Sequence, residues 1–199
     1  PADTTEIKEW AASPSYYRKR TLLRILPIAV TVINFLCISL AILGIISANI
    51  AGGVFVSFVL FSTIFSKGIT KLQTTYGEKL QILSTYADQI LLTEQKEMHS
   101  HILQELKTDL TSQNQTASQA VRQLSKLMNA LDQRSNLLMS TILNGLIFWE
   151  LRQVMRIEKW KEIHASDLPR WIETIGEIDA YCSLATFAYN HPDYIYPTI

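Results

Sequence analysis

At 199 residues, with 18 Lys plus Arg against 18 Asp plus Glu, the chain is one or two domains with no net charge. A global basic field able to gather nucleic acid is excluded, so any contact with DNA has to come from a local patch or from residues outside this sequence. Cys37 and Cys182 each lie in an apolar segment and read as reduced packing residues, not as a disulfide framework. Only 7 Gly and 6 Pro interrupt the chain, which suits an all-α protein.

Residues 1–24 form an N-terminal flank that ends in a basic cluster, Arg18, Lys19, Arg20 and Arg24. From Ile25 to Ser66 there is no Asp, Glu, Lys, Arg or His. That run is about twice the roughly 20 residues a helix needs to cross a bilayer. Turn-forming residues gather in Ser47-Ala-Asn-Ile-Ala-Gly-Gly53, so two antiparallel spans joined near Asn49 are expected over 25–66. Lys67 and Lys71 flank the second span. Positive charge at both outer ends places both termini on the cytoplasmic side of the inner membrane. Thr31, Asn34, Ser39, Ser57 and Ser62 dilute the apolar run and keep a soluble buried hairpin open as an alternative. A soluble core helix, however, normally keeps one charged face, and neither half has one. A cleaved signal peptide would need neither a second span nor lack a small-residue cleavage pattern.

The third unit, 67–199, reads as a helical core. Leu72, Tyr76, Leu80, Leu83, Tyr86 and Ile90 advance by threes and fours, an apolar stripe that packs on other helices or pairs in a coiled coil. A polar helix is expected over about His99–Leu110, then a loop or helix entry over Thr111–Thr116. A further helix spans Ala117–Leu131, with Val121, Leu124, Leu127 and Met128 inward, and a break covers Asp132–Ser135. The longest core helix is expected over Asn136–His164. Two adjacent apolar lines, Leu138, Ile142, Leu146, Trp149 and Leu143, Ile147, Leu151, Val154, make it central. In the closing helix Asp167 can cap and Pro169 fits the first turn. Trp171, Ile175, Ile178, Cys182 and Ala185 give it one buried face. Asn190, Pro192 and Pro197 end it in an extended exit. No strand-period run is long enough for a sheet.

Candidate sites are few. Arg152, Arg156 and Lys159 share one helix face, either a phosphate-contacting stripe or an ordinary solvated face interleaved with Glu158 and Glu162. Glu97, His99 and His101 are metal-ligand types, but i and i+2 point to different faces. Neither a Gly-x-x-x-x-Gly-Lys-Ser/Thr loop nor a nucleophile constellation can be assembled, so the expectation is no catalytic, cofactor or metal residue here.

One resemblance is specific. Ile178-Asp179 followed by Ser183-Leu184-Ala185, then Tyr194 or Tyr196 with Pro197 and Ile199, resembles the end of the core (lever) region of the MutS family of DNA mismatch repair ATPases. Asn144-Gly-Leu-Ile-Phe-Trp-Glu-Leu151 and Arg156-Ile-Glu-Lys-Trp160 resemble a branch of that family with an N-terminal membrane hairpin. The match covers roughly 115–199, and the earlier residues by layout. It implies a helical bundle with long lever-type helices that couples an ATPase domain beyond Ile199 to double-stranded DNA or a partner. ATP, Mg and homodimerisation would belong to the longer protein. Asp179, Ser183, Leu184, Ala185, Ala188 and Pro197 would pack at the ATPase junction, while Trp149, Trp160 and Trp171 stiffen the core. Phe148-Trp149-Glu150 carries the letters Phe-x-Glu of the family's mismatch wedge, but within a helix and without the wedge domain. The competing reading is a membrane-tethered helical adaptor or signalling stalk with no nucleic-acid role.

Overall fold

A computed structural model describes residues 5–85, 87–111, 116–132 and 136–194. Its helices are α1 (Thr5–Ala12), α2 (Thr21–Ile42), α3 (Ala48–Thr85), α4 (Ala87–Gln95), α5 (His101–Asp109), α6 (Ala117–Asp132), α7 (Leu137–Ile147), α8 (Trp149–His164) and α9 (Leu168–Asn190). Among the described residues there is no strand, only an isolated bridge between Thr111 and Thr116. The all-α class therefore stands. The side chains of Tyr76, Leu80, Leu83 and Tyr86, the break at 133–135, and the exit with Tyr196 and Pro197 lie outside the described residues.

The apolar run folds as a helical hairpin of α2 and α3, but its turn lies earlier than Asn49. Gly44 takes φ +74, a left-handed conformation that costs glycine little, and closes α2. Asn49, Gly52 and Gly53 are already helical. α3 then runs for 38 residues, about 57 Å, with no break at the 66/67 boundary. Its first part is the second apolar arm and its continuation enters the core. The arms are hardly covered by protein: 17% of the most apolar window of α2 is buried, and none of that in α3.

The core gathers where α3, α4, α6 and α8 meet. Ile69, Ile90, Val121, Leu124, Met128, Leu131, Val154, Ile157 and Trp160 are all buried there. α6 shows why: its apolar residues fall at three-to-four spacing on one face, so docking it removes Val121, Leu124 and Met128 from water together. The N-terminal flank joins this core. α1 buries Ile7, Trp10 and Ala11, and the Trp10 ring stacks on Trp160 at 6.3 Å between centroids.

Two expectations fail in instructive ways. The single helix over 136–164 is two helices, broken at Phe148, which adopts φ 50 and ψ 54. Leu138 and Ile142 are consequently exposed, whereas Leu151 and Val154 are buried. The closing helix forms, but its burial fades along its length. Leu168, Trp171 and Thr174 are buried, Ile175 and Ile178 partly so, and Cys182 and Ala185 are exposed because α9 runs past its supports α1 and α5. Pro169 sits in the first turn as expected, but the Asp167 side chain caps no amide. Its carboxylate lies instead 4.0 Å from Arg170.

Candidate functional site

The break between α7 and α8 is a built polar site inside an otherwise apolar region. A left-handed residue ends the α7 hydrogen-bond ladder and frees its last carbonyls. Each freed group finds a donor. Asn34, buried in the wall of α2, donates from Nδ2 to the carbonyls of Gly145 (2.9 Å) and Leu146 (3.3 Å). Arg152 donates from Nε to the carbonyl of Ile147 at 2.7 Å. The same guanidinium reaches the Pro27 carbonyl (2.9 Å) and Thr31 Oγ1 (2.7 Å), tying the break to α2.

Glu150 closes the other side. It is 5% exposed and accepts from Asn144 Nδ2 (2.9 Å), Ser66 Oγ (2.9 Å) and Ser140 Oγ (3.2 Å). Its own amide donates to Asn144 Oδ1 at 2.9 Å, so Asn144 and Glu150 clasp each other across the bend. A carboxylate in the first turn of α8 also suits the positive end of that helix. Phe148 drops into a ring cluster, its centroid 6.1 to 6.3 Å from Phe58, Phe61 and Phe65. At Gly145 an added Cβ would collide with Phe55 and Val59, so only glycine lets α7 approach α3 this closely.

A second set of buried charges lies lower on α8. Glu158 accepts three successive backbone amides, those of Tyr16 (2.7 Å), Tyr17 (3.1 Å) and Arg18 (2.6 Å). That fastens the segment between α1 and α2. Arg18 also pairs with Glu162 at 2.7 Å. Burial, with Glu158 beside it, pushes the Tyr17 hydroxyl above its ordinary value. Lys161 donates to Ser13 Oγ at 3.0 Å and lies over the Trp10 ring; burial pulls its pKa down, with Glu158 acting in the opposite sense. His164 is sandwiched between Trp160 and Trp171, and burial holds its imidazole below the ordinary value.

These contacts divide the expected phosphate stripe. Arg152 turns inward and is occupied by α2 and α7, so it does not belong to an external cationic face. Arg156 and Lys159 remain exposed and border a cleft with Gln123, Leu127 and Ile163. Trp160 and Trp171 are core residues, and the Trp160 indole donates to the Ala120 carbonyl at 2.8 Å. Trp149 is only half-buried, at the break. Phe148-Trp149-Glu150 is therefore a bend motif, not a stretch within a helix. Glu97 and His99 border a shallow surface cleft, and His101 pairs with Glu105 at 3.5 Å. Among the described residues, no three His, Cys, Asp or Glu gather as a metal-binding group.

Of the residues expected at an ATPase junction, those described lie on the second half of α9, where Asp179 still borders a cleft against α4 and Leu110 and the later ones stand clear of the bundle. Asp179, Ser183, Leu184 and Ala185 are exposed and Ala188 is half-buried; Pro197 lies outside the described residues. Leu184 is 65% and Tyr189 85% exposed; at the helix end Phe187 stacks on His191, and the Tyr194 ring packs edge-on to Phe187 and tilted to His191. Cys182 is likewise a surface thiol, not a packing residue. Sequence reasoning missed the clasp of Asn34, Asn144, Glu150 and Arg152, and the Glu158 anchor. Asn34, the one Asn in the first apolar arm, was the available signal for the first, and Glu158 carried none. No protein-family model, curated protein or solved structure matches this chain.

Proposed function

We propose that this chain is a membrane-anchored helical coupling module, in which the α2–α3 hairpin sits in the bilayer and α9 carries force or position to a further domain. The observation that carries the reading is a pair of apolar surfaces that the fold leaves outward. One surrounds the hairpin, where Phe35 is 59% exposed. The other follows α9 through Tyr181, Leu184 and Phe187. Arg18, Lys19, Arg20 and Arg24 stand at the foot of one arm and Lys67 and Lys71 at the foot of the other, which supports a cytoplasmic core.

The more specific form of the proposal is a MutS-type lever. It is supported by the order Ile178-Asp179, Ser183-Leu184-Ala185 along α9, of which Ser183, Leu184 and Ala185 lie on exposed turns where a motor domain would rest. In this form the chain itself hydrolyses nothing; ATP and Mg would act in the domain beyond Ile199, and DNA contact and dimerisation would belong to the longer protein. The adaptor reading gains from the inward turn of Arg152, which leaves only Arg156 and Lys159 of the expected cationic stripe facing outward.

One experiment separates the two forms. The natural reading frame downstream of Ile199 is sequenced, and hydrogen exchange of residues 179–190 in that protein is compared with and without an ATP analogue. A Gly-x-x-x-x-Gly-Lys-Ser/Thr loop together with nucleotide-dependent protection of those turns supports the lever. A frame lacking the loop, or exchange indifferent to nucleotide, leaves the adaptor.

A further inference from the structure

α7 is short, strongly apolar and outward-facing, and it does not lie on the cytoplasmic core. It lies along the hairpin, against α2 and α3. At 11 residues it is about 16 Å long, half the roughly 30 Å needed to cross the hydrocarbon. Its position along the hairpin follows from its contacts. Ser140 meets Ser66 through Glu150, next to the basic foot at Lys67. Gly145, near its other end, abuts Phe55 and Val59 and is bonded by Asn34. Phe55 and Asn34 stand about 15 to 18 Å along their helices from Lys67 and Arg24, and about two turns short of the hairpin tip. α7 therefore climbs beside the hairpin to half its height, turns at Phe148, and α8 descends.

We propose that α7 and the start of α8 form a re-entrant wedge that dips into one leaflet of the bilayer and returns to the cytoplasmic side. This rests on the hairpin itself lying in a bilayer. Three observations converge on lipid as the occupant of the outer face of α7. Its exposed residues Leu138, Met139 and Ile142 continue the apolar surface of the hairpin, which carries Ile28, Val32, Phe35, Leu60 and Ile64 outward. No charged side chain interrupts α7. Above all, the broken backbone at Phe148 meets the condition a bilayer imposes, because non-helical backbone survives at that depth only if its polar groups are satisfied within the protein. Asn34 and Arg152 supply donors for three successive carbonyls, Glu150 is buried, and the half-buried Arg152 guanidinium is bonded to α2 and α7.

The test is depth-dependent quenching. In a Cys37→Ser, Cys182→Ser background, single cysteines replace Phe35, Leu138, Ile142 or Ser183, each exposed in the structure. Each is labelled with an environment-sensitive NBD probe and reconstituted into phosphatidylcholine vesicles with or without acyl-chain nitroxide lipids; circular dichroism checks that helix content is kept. The expected result is strong quenching at positions 35 and 142, weaker quenching at 138 near the headgroups, and none at 183. Quenching at 35 with none at 142 overturns the wedge while leaving the membrane hairpin intact. A dry, blue-shifted but unquenched probe at 142 also overturns it, by showing protein over that face. No quenching at 35 removes the hairpin reading, and the wedge falls with it.

Discussion

Phe148→Gly is the most informative single substitution, because two opposed effects meet at that residue. Glycine would relieve a left-handed backbone that costs an L-residue with a side chain about 1–2 kcal/mol. It would also empty the space between Phe58, Phe61 and Phe65, where Phe148 is 1% exposed. Truncating a buried phenylalanine costs about 3–5 kcal/mol, most of it from the cavity and lost contacts. The packing loss therefore outweighs the strain relief, and the variant should be destabilised by about 1–4 kcal/mol. Phe148→Leu keeps the strained backbone and most of the volume, so it should fall between the parent and the glycine variant. Unfolding of the detergent-solubilised protein, followed by tryptophan fluorescence against denaturant, measures both. A glycine variant as stable as the parent or more so would refute the view that the ring cluster holds the bend.

Three further outcomes follow from the same structure. Glu158→Ala strands three backbone amides and should cost about 2–4 kcal/mol, on a scale of about 1–3 kcal/mol per orphaned buried group discounted for partial exposure; faster hydrogen exchange over residues 5–18 would register the release of α1. Burial keeps the His164 imidazole below 6.5 in the folded state, so on acidification the unfolded chain takes up its proton first. Stability should therefore decline as pH drops through about 6.5 and level off below the folded-state pKa; denaturant midpoints of parent and His164→Gln should diverge in slope over that window. Leu184→Asp, on the free part of α9, should shift the stability of this chain by no more than about 0.5 kcal/mol, and a large loss would mean that α9 is packed where the structure leaves it open.

The fold was legible wherever one physical signal dominated. A charge-free run about two spans long with turn residues in its middle points to a hairpin of apolar helices, and the three-to-four spacing of Val121, Leu124 and Met128 dictates the inward face of α6. The bend at Phe148 was not legible, because Leu, Ile, Phe and Trp satisfy helix periodicity on both sides of it. What breaks the helix is a local clasp of Asn144 and Glu150 across the bend, together with tertiary bonds: Asn34 taking freed carbonyls and Arg152 reaching α2. The position of the hairpin turn is hidden in the sequence for a related reason. Asn49, Gly52 and Gly53 carry more turn signal in sequence than Gly44, but a lone glycine able to adopt positive φ is enough. The junction residues of α9 came from family resemblance. Periodicity placed only the first half of that helix correctly, since burial depends on where α1 and α5 end.

Sided labelling of the hairpin tip decides whether the α2–α3 hairpin spans a bilayer. Single cysteines at Ser47, beside the turn, and at Ser183, on α9, are exposed to a membrane-impermeant maleimide in intact, oriented membrane vesicles and again after permeabilisation. The two sites are expected to label from opposite faces, with Ser183 on the side of the basic residues flanking the hairpin. Labelling of both from the same face, with no gain on permeabilisation, would contradict a spanning hairpin.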